Sequence, residues 1–215
     1  EQFLNIETLK DCALLDYLKN NPNQSQVNLS NDRKEHKIGG EITPDFVENL
    51  KQLTCLKYLN LGANNLINEI PEGLSALSNL VDLYLFQNKL EGEVPEWLST
   101  LTKLTHLGLH SNGLSGKIPI QLSELVNMEI LHLCDNKLDG TIPKELSTLV
   151  KLRGLYLNTN SLTGTIPKEL SNLTALACLD LHGNQLDGEI PNISRLIRLI
   201  SLGLYDNKLT GKIPR

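Results

Sequence analysis

The chain has 215 residues, 46 of them Leu and 22 Asn, with aromatics at only 4 % and a formal net charge of -5. So much Leu with so few rings points to a repeated unit, because a solenoid grows in one dimension and needs no large aromatic centre. The acidic balance argues against a nucleic-acid surface, which needs a basic stripe, and no apolar run reaches the roughly 18 residues of a membrane-spanning helix.

In chain order, residues 5–20 predict one amphipathic helix. Ile6, Leu9, Ala13 and Tyr17 fall near helical spacing, Asn5 is the candidate N-cap, and Pro22 lies past the end. With Glu1 in place of an initiating Met, a segment removed ahead of it is expected, and no signal peptide is read within the chain. Residues 27–52 predict a degenerate first repeat with a longer loop, since Ile42 to Ile70 is 28 residues, four more than the later period.

From residue 53 the period is explicit. Asn64, Asn88, Asn112, Asn136, Asn160, Asn184 and Asn207 each end an LxxLxLxxN run, at spacings of 24 and finally 23. Six residues after each Asn stands an apolar-Pro pair, from Ile70-Pro71 to Ile213-Pro214. Gly92, Gly116, Gly140, Gly164, Gly188 and Gly211 sit two residues before the apolar member, and Asn68 takes that place in the first unit. Gly or Asn at one position predicts a backbone with φ > 0. The division is therefore 1–26 as an N-terminal helical cap, 27–52 as the degenerate repeat, and 53–215 as seven repeats of 23–24 residues, the last one truncated.

Alternation of Leu with open positions predicts one short strand per repeat, stacked at about 4.8 Å into a parallel sheet. The strand-ending Asn is expected to turn inward and satisfy backbone groups where the chain leaves the sheet. Numbering the motif L1 to N9, positions 3, 5 and 7 face outward. Nine of the chain's 14 aromatic and His residues lie in those 21 positions, including four of the five His. Strand propensity favours Tyr and Phe but not His, so these columns are the candidate ligand site. The densest stretch is Asp82, Tyr84, Phe86, His106, His110 and His132, and a second group is Tyr156, Asp180, His182 and Tyr205. With positions 2 and 8 counted, Lys57 and Arg153 stand against Asp82, Glu129, Asp135, Asp180 and Asp206, so the face is net acidic and suits a neutral or cationic partner. The histidines are expected to titrate near their ordinary 6.5.

No catalytic motif is present: the chain has no phosphate loop, no GxSxG and no HExxH. His110, His132 and Cys134 share one face, but nothing supplies a pocket, an oxyanion hole or a supporting shell, so neither a nucleophile nor a metal is assigned. No cofactor and no enzymatic activity are expected. Trp97 reads as a packed residue of the return path. Asn23, Asn28, Asn172 and Asn192 open glycosylation sequons.

The pattern LxxLxLxxNxLxGxIPxxLxxL over residues 53–215 resembles the plant-specific class of leucine-rich repeat, found in ectodomains of plant receptor-like kinases and in polygalacturonase-inhibiting proteins. The resemblance implies an α/β solenoid, a right-handed superhelix with a concave parallel β-sheet and an N-terminal helical cap. It further implies a non-enzymatic module that binds a protein or peptide on the concave sheet, as an extracellular receptor ectodomain fragment or secreted recognition protein. The class usually carries a paired-cysteine cap with Trp-x-Gly-Val-x-Cys. That segment is absent here, and Cys12, Cys55, Cys134 and Cys178 show no tight spacing. The alternative is therefore a cytosolic scaffold or adaptor, and a minor one is ice binding, which some proteins of the class perform. Leu202 and Leu204 have no following repeat, so the chain is expected to continue past Arg215 or to make an end-to-end contact there.

Overall fold

Leu at every alternate position of a three-residue strand gives each repeat one buried row and one open row. The computed structural model describes residues 12–31 and 37–213. Its main sheet has eight parallel strands in sequence order: Gln26–Asn28, Tyr58–Asn60, Asp82–Tyr84, His106–Gly108, Ile130–His132, Gly154–Tyr156, Cys178–Asp180 and Ser201–Gly203. The 24-residue period sets the register, so that Leu59 pairs with Leu83, Leu83 with Leu107 and Leu107 with Leu131. The result is a right-handed solenoid with this sheet on its concave side. One continuous apolar cluster runs from Leu14 to Leu196.

After Pro71, Pro95, Pro119, Pro143 and Pro167 the return path winds as a five-residue 3-10 helix, for example Glu72–Ala76 and Lys144–Thr148, whereas the return after Pro191 is made of turns. Pro holds φ near -65° at the entry, which suits a helical start. The first return differs. Its extra residues form an α-helix, Pro44–Lys51, where a longer loop was expected. Thr43 caps it by accepting a hydrogen bond from Phe46 N at 3.2 Å, and Phe46 and Leu50 fill the core beneath it. A helix Cys12–Asn20 precedes the sheet. Its buried stripe is Leu14 and Leu18, one helical turn apart, while Tyr17 is 44 % exposed. The expected face through Tyr17 is thus rotated, and Asn5, Ile6 and Leu9 lie outside the described residues. Among the described residues no helix is long and apolar enough to cross a membrane.

Each strand-ending Asn ties two repeats together. Asn112 Nδ2 donates to the carbonyls of Leu85, Leu109 and His110 at 3.0, 3.1 and 3.3 Å, and its Oδ1 accepts from Leu90 N at 3.1 Å. Two of these partners belong to the preceding repeat, so the amide closes buried groups on both sides of the joint. Asn68 and Gly92 have φ of 66° and 82°, as their shared position predicts. A second left-handed position appears at motif position 8, where Gln87, Ser111, Asp135, Thr159 and Asp206 have φ between 49° and 55°. Asp135 and Asp206 therefore leave the sheet in a turn and do not stand on its flat face. Trp97 packs against the core, half-buried. All four sequon asparagines are exposed. At the last strand Leu202 is 43 % exposed, and an apolar groove runs between Ile190, Ile193, Leu202, Leu204 and Ile213.

Candidate functional site

The parallel register brings rings of neighbouring repeats within contact distance, because strands stand about 4.8 Å apart. Tyr58 and Tyr84 have centroids 5.7 Å apart, and Tyr84 meets Phe86 edge-on at 6.3 Å. Phe86 stacks on His110 at 4.9 Å with planes 3° apart, His110 on His132 at 3.8 Å, and His132 meets Tyr156 at 4.6 Å. These six rings form an unbroken ladder across five strands. Three of them lie over a residue that has no side chain, Tyr156 among them, since a Cβ on Gly154 would come 2.7 Å from its ring. A Cβ on Gly62 would come 2.6 Å from the Phe86 ring, and one on Gly108 would come 2.8 Å from that of Tyr84. Tyr58, Gly62 and Gly108 stand at outward motif positions 3, 7 and 5 but are not among the ten candidate site residues. The signal for the glycines was available, since a bulky ring one repeat away in the same column needs an empty site beside it.

Two Asp–His pairs stand at the ladder's margins. Asp82 Oδ1 lies 2.7 Å from His106 Nδ1 and accepts from Thr105 Oγ1 at 3.2 Å. Asp180 Oδ1 lies 2.6 Å from His182 Nδ1 and accepts from His182 N at 3.4 Å, while His182 stacks on Tyr205 at 4.3 Å. With Nδ1–H donating to the carboxylate, each imidazole presents Nε2 outward. The two expected groups are thus regrouped. Tyr156 joins the ladder with Tyr84, Phe86, His110 and His132, His106 leaves it for Asp82, and Asp180, His182 and Tyr205 form a separate corner.

Packing of ring on ring strips water from the ladder and sets its electrostatics. Burial, with His132 beside it, holds His110 down at about 4, and burial lowers His132 as well. These two rings are therefore neutral at physiological pH, contrary to the expectation of ordinary titration. Burial, then the Asp82 charge, pushes the Tyr84 hydroxyl up to about 12. A hydrogen bond with Cys178, then burial, does the same for Tyr156. Cys134 Sγ lies 3.2 Å from His132 Nε2, a thiol–imidazole distance, yet burial and the Asp135 charge push the thiol up to about 11. A neutral imidazole beside a protonated thiol is not an activated nucleophile. The stacking of His110 on His132 also turns their ring faces, not their nitrogens, toward each other. Among the described residues no three His, Cys, Asp or Glu side chains are grouped to hold a metal ion. Arg153 is tied to Glu129 at 3.4 Å.

The sequence pattern of the leucine rich repeat family matches residues 54–114 and 126–186, more than half of the chain. No curated protein matches. Among solved structures, the LRR ectodomain of the Arabidopsis thaliana membrane receptor kinase GASSHO1/SCHENGEN3, in complex with CASPARIAN STRIP INTEGRITY FACTOR 2, is 35 % identical with a TM-score of 0.80, over 94 % of this chain and 26 % of that one. The Arabidopsis receptor kinase HAESA, in complex with the peptide hormone IDA and the co-receptor SERK1, is 30 % identical with a TM-score of 0.81, over 91 % of this chain and 32 % of that one. A plant ice-binding protein is 30 % identical with a TM-score of 0.65, over 88 % of this chain and 74 % of that one. The chain thus spans about a third or less of these two receptor chains.

Proposed function

We propose that this chain, which belongs to the leucine-rich repeat family, is a non-enzymatic recognition module that binds an extended peptide or protein segment along its concave sheet, outside the cell. The observation that carries the reading is the unbroken ladder from Tyr58 to Tyr156 on an open face. The fold is held by the Leu cluster and the Asn joints and has no need of these rings. Half-buried aromatics on a rigid sheet lose little entropy on contact and are the residue types that anchor interfaces. The two receptor structures named above, each solved with a bound ligand, support the same reading. The test is selection from a displayed random peptide library with the solenoid as bait, repeated with Tyr84→Ala/Phe86→Ala. Enrichment that disappears in the variant supports the site. Enrichment that persists unchanged, or no enrichment at all, removes it.

The likeness to a plant ice-binding protein favours a second reading. Ice would need a flat, repetitive surface of uncharged side chains. The column two before the Pro of each of the seven repeats reads Glu69, Glu93, Lys117, Thr141, Thr165, Glu189 and Lys212, so its only uncharged pair is Thr141 and Thr165. Thermal hysteresis measured on the purified chain separates the readings, with none expected under the first.

A further inference from the structure

The row of facing residues Tyr84, Gly108, His132, Tyr156 and Asp180 crosses five consecutive strands in register. At one end Asp82 sits on the same strand as Tyr84. At the other, Asp180 stands beside the stacked pair of His182 and Tyr205, whose ring is 63 % exposed. In both aspartates the contacts to His and Thr go to Oδ1 alone. Each carboxylate thus keeps an oxygen for an incoming group, next to an aromatic face. Carboxylate beside ring is the pairing that holds an ammonium or guanidinium. Between the corners the row carries no charge, since His132 is neutral and Gly108 leaves a dip. The face's own cations do not fill the corners, with Arg153 held by Glu129 and Lys57 off the row.

Resting on the peptide-binding reading above, we infer that the ligand is an extended segment with two basic side chains about six residues apart and an uncharged stretch between them. One cation docks at Asp82 and Tyr84, the other at Asp180 and Tyr205. The spacing follows from geometry. Four strand steps of about 4.8 Å separate the corners by about 19 Å, and an extended peptide advances about 3.3 Å per residue. A flexible Lys or Arg stem adds reach, so spacings of five and seven remain usable while a spacing of three does not.

The test uses synthetic capped peptides titrated calorimetrically into the intact chain at low salt. The first is Gly-Arg-Ala-Pro-Ala-Pro-Ala-Arg-Gly. The second has the same composition with the two Arg three apart, and the third has Gln in place of both Arg. The first is expected to bind about tenfold tighter than the second and more than that over the third. Asp82→Asn and Asp180→Asn should each cost it about tenfold, while leaving the Gln peptide unchanged. Equal binding of all three peptides, still lost in Tyr84→Ala/Phe86→Ala, overturns the two-cation inference and leaves the concave site standing. No binding by any of them overturns the inference as well, and the library selection then judges the site by itself.

Discussion

The imidazoles of His110 and His132 stack with centroids 3.8 Å apart, and the Nδ1 of His110 is buried there without a hydrogen-bond partner. A charged ring in that position would face a second imidazole and the Phe86 ring, with its Nδ1 shut off from water. We expect His110 to titrate near 4 and His132 below its ordinary value, followed by two-dimensional NMR of the ring protons. The sign for stability follows from the direction. Because the folded ring is depressed from 6.5, the unfolded chain takes up the proton first, so this contribution is complete above pH 6.5 and is lost as pH falls through about 4. Denaturant midpoints should drop across that window in the wild type and drop less in His110→Gln/His132→Gln. A His110 resonance titrating at 6.5 would remove the stack as drawn.

The Asn joints set a scale for comparing frame with face. Asn112→Ala leaves the Leu90 amide unpaired and takes one of two donors from each of the Leu85 and Leu109 carbonyls, which keep Asn88 and Asn136, at a cost of about 1–3 kcal/mol. Leu107→Ala, at a fully buried site, should cost about 2–5 kcal/mol. His110→Ala loses only its stacking contacts, about 1 kcal/mol. Urea unfolding of the three variants gives the order, and a His110→Ala loss as large as that of Leu107→Ala would mean the ring belongs to the core.

The frame was legible in the sequence for a physical reason. A residue whose task is identical in every repeat, such as Leu107 in its row or Asn112 at its joint, recurs at a fixed interval and needs no knowledge of its neighbours. The face was legible only as columns. Whether Tyr156 belongs with His132 or with His182 depends on ring orientation, which depends in turn on which adjacent position is empty, as at Gly62 and Gly108. The depressed His110 was hidden for the same reason, since its solvent is removed by residues 22 to 24 positions away. The helix Pro44–Lys51 was masked by the long spacing before Ile70, which loop and helix satisfy equally.

Position 8 of the motif carries a second stability test. Thr159 holds φ at 54°, a left-handed conformation that a β-branched residue adopts at a cost, whereas Gly183 occupies the same place one repeat later at 65°. Thr159→Gly should relieve more strain than the added freedom of the unfolded chain removes, raising stability by about 0.5–1 kcal/mol. Its N–H bond to the His182 carbonyl, 2.8 Å, is a backbone contact and survives the change. A lower midpoint would show that the Thr side chain contributes packing that outweighs the strain.

The flat ring of Tyr84 depends on Gly108, and this can be read without any ligand. A Cβ at position 108 would lie 2.8 Å from Tyr84 Cδ1, so Gly108→Ala must tip the ring away from the sheet. Tipping returns the hydroxyl to water, so its titration should fall from about 12 toward the ordinary 10.0. Absorbance at 295 nm follows it, with Tyr84→Phe subtracted to isolate this one residue among five tyrosines. Gly in a strand interior weakens the strand, and Ala costs less backbone entropy by about 0.5–1 kcal/mol, so the unfolding midpoint should hold or rise even as the ring moves. If instead the hydroxyl stays near 12 and the midpoint falls, the strand has shifted to keep the ring in place. Gly108 would then serve the fold, and the ladder would not need it to lie flat.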